Sequence, residues 1–421
     1  MIETFFRKLG LIWSDRKLCN RFLFVIGGLF VFRLLSNIPI PNVDKFALAN
    51  FVGGNQVLSI VDMISGGGLS MVSIVMLGVG PYITASIIMQ LLTMMVPALK
   101  AITHDEGEAG RKRFSQWTRL LTIPLALIQA VGYLFLLKNQ GVFPVDISAF
   151  SFASNVLIIS AGSILLMWIG ELITEFGIGN GVSMIIFAGI VSRLPSAIST
   201  LDLNNIPLLV VFLAVMLVVI AGVVFITEGE RPIPVTYAKQ VRGVSTGGSV
   251  PTYIPLRINQ AGVIPIIFAM SILAFPQMIA QFMSVSSVET IKVIAEKINW
   301  FMTNQWAYGI TYFVLVVLFT YFYTAMTFDP ERMATNLQKN GAFVPGVRPG
   351  TPTSDYVANI ITRITLVGAL FLGLIAVLPL IVKAWSGVSA LAIGGTGLLI
   401  VVSVVSDLIK KTEAQLTMRE Y

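Results

Sequence analysis

The sequence predicts an all-α, polytopic membrane protein of ten transmembrane helices arranged as two inverted five-helix halves. Composition comes first: of 421 residues, 56% are hydrophobic and only 12% charged, too few polar residues to cover a soluble globule. Several apolar runs also exceed the roughly 18 residues that mark a membrane-spanning helix. Finally, Gly78-Val79-Gly80-Pro81-Tyr82-Ile83 is echoed by Gly262-Val263-Ile264-Pro265-Ile266-Ile267, with four of six positions identical. Each copy sits in the second span of its half, and a half with an odd number of spans must run inverted relative to its partner.

Taken in order, residues 1–21 form a basic, amphipathic N-terminal segment with no small-residue cleavage pattern, so no cleavable signal peptide is expected. Spans follow at about 22–36, 69–96, 118–137, 153–175 and 182–199, the N-terminal half (22–199). The C-terminal half (200–409) carries spans at about 207–227, 259–283, 306–327, 359–382 and 389–409, and residues 410–421 are a short tail. Twenty of the 28 Lys and Arg residues fall on the side of the termini and six on the other. Both termini are therefore expected in the cytoplasm. Two cytoplasmic loops, 228–258 and 328–358, are long and rich in turn residues, which marks them as loops with work to do.

The stretch 57–90 is where the helical pattern breaks. Val57–Ser65 is too short to cross a bilayer, since nine residues at 1.5 Å rise cover about half of it. Gly66, Gly67 and Gly68 stop it. From Leu69 the chain is apolar for a full span, disturbed at Pro81. Irregular backbone at membrane depth survives only when buried in protein or lining a wet cavity. A re-entrant loop followed by an ordinary kinked helix accounts for these residues equally well.

Several function classes are excluded. One cysteine (Cys19) and one histidine (His104) leave no disulfide framework and no His/Cys metal cluster. No nucleophile–base pair, carboxylate dyad or phosphate loop is present, so neither enzymatic activity nor a cofactor is expected. FGIGNG at 176–181 joins two apolar helices rather than strand to helix, which rules out a dinucleotide fingerprint. The net charge of +7 follows the loops, and no direct DNA binding is expected. Ionisable residues lie near span ends, leaving Thr84, Ser86, Gln90 and Gln129 as the mid-depth polar groups.

Longer motifs are more specific. IPIPNV (38–43), MISGGGLS (63–70), GPYITASIIMQLL (80–92) and DEGEAGRKRFSQWTR (105–119) resemble the bacterial SecY family. So do MWIGELITEFGIGNGVSMIIFAGIV (167–191), AGVIPIIFA (261–269), GAFVPGVRPG (341–350) and GGTGLLIVV (394–402), in order over nearly the whole chain. The resemblance implies the channel subunit of the Sec translocase in the bacterial cytoplasmic (inner) membrane, with ten helices around an hourglass pore. Implied partners are the SecE and SecG subunits, the SecA ATPase, ribosomes, signal sequences, unfolded preproteins and membrane lipids.

Matching motifs carry over residue by residue. The plug would be Val57, Leu58, Ser59, Ile60, Val61, Asp62, Met63, Ile64, Ser65, Gly66, Gly67 and Gly68. A pore ring would comprise Val79, Ile83, Val182, Ile186, Ile267 and Ile400, of which the internal echo already pairs Ile83 with Ile267. Branched aliphatics close around any chain without binding it, and a narrow apolar ring resists wetting. Two ring positions are Val where relatives often have Ile, and Gly80 replaces a bulkier residue. Thr84, Gln129 and Phe275 would belong to a lateral gate made by spans two, three, seven and eight. Arg231, Lys239, Arg242 and Arg348 would lie on the SecA- and ribosome-binding loops. For each the plainer alternative is ordinary: helix packing for the ring, helix–helix hydrogen bonding for the gate, topology signals for Lys239 and Arg242. The rival function is a secondary transporter of a small solute, also built from inverted repeats.

Overall fold

A computed structural model describes residues 15–41, 68–69, 71–105, 107–139, 142–143, 148–199, 206–237, 252–284, 288–386 and 389–420. Thirteen helices and three short strands lie within them, in the order α1 (Arg16–Ser36), α2 (Gly80–Met95), α3 (Pro97–Asp105), α4 (Gly107–Asn139), α5 (Ala149–Phe176), α6 (Gly181–Ser199) and α7 (Ile206–Glu228). Strands β1 (Glu230–Tyr237) and β2 (Thr252–Arg257) follow, then α8 (Ile264–Ser284), α9 (Glu289–Thr303), α10 (Gln305–Thr327), α11 (Pro330–Lys339), β3 (Ala342–Phe343), α12 (Thr351–Ser386) and α13 (Ser389–Glu420). Each of the ten expected spans falls on a helix: α1, α2, α4 to α8, α10, α12 and α13. Among the described residues, five helices are long and apolar enough to cross a membrane and four more are apolar but shorter. Their outer faces carry Leu217, Val218, Phe225 and Leu318, all more than half exposed, as a lipid-facing surface requires.

Polar residues start the helices where the chain re-enters the bundle. Asp15 accepts a hydrogen bond from Lys17 N–H, Asn304 from Trp306 and Ala307 N–H, and Asp329 from Glu331 and Arg332 N–H ahead of Pro330. Each satisfies backbone donors that a first helical turn leaves unpaired.

Span two differs from expectation. A helix over 69–96 with a proline kink is predicted, but 71–79 forms successive turns and the helix begins only at Gly80, with Pro81 in its first turn. Proline is tolerated there because its missing N–H would have no intrahelical partner. Val72 (φ 42°) and Gly78 (φ 57°) both adopt left-handed backbone in this segment. The helix of span ten also runs on through the expected tail to Glu420, and α1 starts at Arg16 inside the expected N-terminal segment.

The two long loops are not separate. β1 pairs antiparallel with β2 (Ile233 opposite Ile254) and with β3 (Tyr237 opposite Ala342), giving one sheet in the order β2-β1-β3. Ile233, Leu256 and Val344 bury against Val357 and Ile361 of α12, a small core distinct from the main one. At that end of the bundle, Lys410 pairs with Glu228 at 3.1 Å and reaches Thr227 O at 3.3 Å, tying α13 to the end of α7.

Candidate functional site

The halves meet along two seams. α6 packs against α13 on one side, and α8 packs against both α2 and α4 on the other. Between the seams lies the main apolar cluster, drawn from both halves.

Two of its helices enter it in the same way. Gly78 turns left-handed two residues before α2, and Gly262 (φ 62°) turns left-handed two residues before α8. Ile83 N–H then bonds to Val79 O at 3.0 Å and Ile267 N–H to Val263 O at 3.3 Å, so both isoleucines sit one turn inside their helices. The sequence echo is thus an echo of backbone conformation. α6 starts differently: the Asn180 carboxamide accepts from Val182 N–H (3.0 Å) and Ser183 N–H (3.2 Å). With the start fixed there, Val182 and Ile186, four residues apart, share one face.

All six expected ring residues fall in this one cluster. Val79 and Ile400 are fully buried, Ile186, Ile267 and Ile83 are 1%, 5% and 6% exposed, and Val182 packs against them half-buried. Beside the cluster opens a cavity of about 470 Å³, lined on that side by Ile83, Val182, Ile186 and Ile267. The rest of its lining is mixed, with Tyr82, Ser86, Gln90, Ser115, Arg119, Glu171, Glu175, Asn180 and Ser183 on the polar side and Ile264 and Phe268 on the apolar side. Arg119 Nε donates to Glu171 Oε1 at 2.7 Å, joining α4 to α5. This vestibule, polar over about half of its lining, thus borders the packed aliphatic cluster.

Other expected residues are placed as follows. Thr84 on α2 and Gln129 on α4 are buried where those two helices pack together, and Phe275 on α8 is half-buried. Of the plug, Val57–Gly67 lies outside the described residues. Gly68 is described and buried, and a Cβ there would stand 2.9 Å from Val75 O. Lys239 and Arg242 also lie outside the described residues, while Arg231 is exposed on β1. Arg348 is exposed on a turn between Gly346 (φ 82°) and Gly350 (φ 100°), and Thr353 Oγ1 donates to its carbonyl at 2.7 Å. No carboxylate pairs with the Arg348 guanidinium among the described residues.

Sequence reasoning missed the vestibule wall. Arg119 and Glu171 read only as charges near span ends, although an ion pair across 52 residues closes the wall. The Asn180 cap was the legible signal, because an Asn-Gly directly before an apolar run marks a helix start.

Known proteins resemble this chain closely. The sequence profile of the SecY family matches residues 73–409. The protein translocase subunit SecY of Corynebacterium glutamicum is 38% identical over 97% of both chains. A solved SecY structure, concerned with a plug domain that stabilises the closed state of the translocation channel, has a TM-score of 0.64 at 19% identity over 94% of this chain and 92% of that one. Sec61 in the canine ribosome–channel complex has a TM-score of 0.60 at 18% identity, over the same 94% and 92%. At those identities the structures speak for the fold. The matched profile and the full-length relative together make this chain a member of the SecY family.

Proposed function

We propose that this chain is the protein-conducting channel subunit of a bacterial Sec translocon, passing unfolded preproteins through the aliphatic cluster and releasing apolar segments sideways into lipid. The observation that carries this reading is the convergence of Val79, Ile83, Val182, Ile186, Ile267 and Ile400, from both halves, on one apolar cluster, with Ile83, Val182, Ile186 and Ile267 also lining the cavity beside it. In this reading the cluster is a constriction, closed at rest. Its contacts are dispersion and burial alone, so an entering chain of any sequence can part them and they re-form behind it. Closed, the ring is too apolar and too narrow for ions.

The seam of α8 against α2 and α4 serves as the lateral gate, with Thr84, Gln129 and Phe275 along it. Polar side chains lower the cost of parting such a seam, since water or a passing segment can replace their partners. Plug residues Val57–Gly68 seal the far side. Gly66, Gly67 and Gly68 serve as the hinge of the plug, since glycines change backbone angles with little strain. The sheet end faces the cytoplasm with both termini, where Arg231, Lys239, Arg242 and Arg348 meet the SecA ATPase or the ribosome. SecE and SecG complete the complex. Driving energy comes from those partners rather than from catalysis by this chain.

Replacing Ile83 and Ile267 together with Ser tests the reading. The variant is expected to insert and assemble normally but to leak ions at rest in planar bilayers, because hydroxyls let water wet the constriction. Conductance equal to that of the parent would remove both residues from the pore. Saturable uptake of a small solute by the parent would instead favour a secondary transporter.

A further inference from the structure

The two halves share a feature that the sequence echo does not contain. On α5, Gly162 faces the segment that leads into α2: a Cβ there would lie 1.9 Å from the carbonyl oxygen of Ile74 and 2.8 Å from its carbonyl carbon. On α12, a Cβ at Gly368 would lie 2.8 Å from the carbonyl oxygen of Ile258. α5 and α12 are each the fourth membrane helix of their half. Ile74 and Ile258 each stand four residues before the left-handed glycine, Gly78 or Gly262. Both of those glycines also have their carbonyls held by a side-chain donor. Ser163 Oγ donates to Gly78 O at 2.9 Å, and Asn259 Nδ2 donates to Gly262 O at 3.2 Å.

These contacts are between backbone and backbone, so no flexible side chain can swing aside to admit a methyl group. Close-packed interiors pass such a displacement on rather than absorb it. In the N-terminal half it would travel from Ile74 to Val79, which is fully buried in the cluster. In the C-terminal half it would travel from Ile258 to Ile267.

We propose that Gly162 and Gly368 are a matched pair of positioning residues, notches in the fourth helix of each half that set where the two constriction helices begin. Ser163 completes the N-terminal notch by holding the Gly78 carbonyl. The proposal rests on the reading of Val79, Ile83 and Ile267 as the constriction.

The test uses the full-length chain in its complex, with Cys19→Ser as background and two readouts. Position is read from the rate at which a water-soluble thiol reagent labels Val79→Cys, alone or with Gly162→Ala or Ser163→Ala. Ile267→Cys, alone or with Gly368→Ala, reports on the other half. Sealing is read separately, from the resting conductance of the same glycine and serine variants without the added cysteines. Several-fold faster labelling with Gly162→Ala is expected, a smaller rise with Gly368→Ala where the approach is looser, and none with Gly27→Ala, whose Cβ would meet nothing within 4 Å. A resting leak should accompany the faster labelling. Parental labelling rates in Gly162→Ala and Gly368→Ala, with complex assembly intact, overturn the proposal whatever the conductance. Faster labelling with an inert Ile83→Ser/Ile267→Ser pair would retain the notches and reject the ring. If Gly162→Ala does not assemble, Ser163→Ala and Gly368→Ala decide the matter by the same criteria.

Discussion

In the main apolar cluster, Val79, Ile186, Ile267 and Ile400 are at most 5% exposed and offer no side-chain polar atom. At the tip of the second long loop, Arg348 stands exposed on a turn whose flanking glycines hold φ at 82° and 100°. One region is soft in its chemistry and rigid only through packing; the other is rigid in its backbone and strongly directional in its chemistry. Aliphatic contacts can be parted by any sequence and re-form without memory of it. A guanidinium on a preorganised turn loses little freedom when a carboxylate meets it, and it can bind in a fork. In the proposed channel, the contrast would separate a place that releases from a place that holds.

The largest effect expected to sharpen that contrast is at the tip. Arg348→Glu should reduce motor-driven transport into proteoliposomes by roughly tenfold or more, on the scale of a lost charge-assisted contact turned repulsive. Lys339→Glu, on the last turn of α11, should do far less. Equal defects would mean that Arg348 is only one more positive charge on its side of the membrane. A middle effect is expected beneath the tip. Ile233→Ala removes a side chain that is 2% exposed from the small core of the sheet, at about 2–5 kcal/mol of local stability. It should raise protease cutting in loop 328–358 while resting conductance stays parental. A leak from this variant would mean that the two regions are mechanically one. The smallest effect is expected at the vestibule wall. Glu171→Gln breaks a pair whose arginine side is 48% exposed, so a stability change below about 1 kcal/mol is expected on thermal melting. A large loss would show the wall to be structural to the aliphatic cluster beside it.

Much of this was readable beforehand, for physical reasons that also mark where reading stops. Hydropathy put a helix at each expected span, with span two helical only from Gly80, because lipid imposes one polarity on every crossing. Ile83 and Ile267 could be paired from the echo alone, whereas Val182, Ile186 and Ile400 rested on family resemblance, since apolar residues on uniformly apolar helices have no distinguishing periodicity. The turns at 71–79 read as helix because their residues are as apolar as a span, and left-handed Val72 runs against side-chain preference. β3 is two residues long and pairs with a strand more than 100 positions away, beyond any local signal. Gly162 gave no warning either, because a glycine in a membrane helix shows its purpose only when its neighbour is known.

The sheet, finally, has a mechanical consequence. β1 leaves α7 across the single residue Gly229, β2 runs into α8, and β3 lies between α11 and α12. Ile258 N–H bonds back to Gly229 O at 2.8 Å, closing the base of the first hairpin. Three strands thus yoke the helices of the C-terminal half, while on the same end of the N-terminal half α2 and α4 are joined by α3 alone. Torque applied to the sheet would therefore reach several helices of the C-terminal half together.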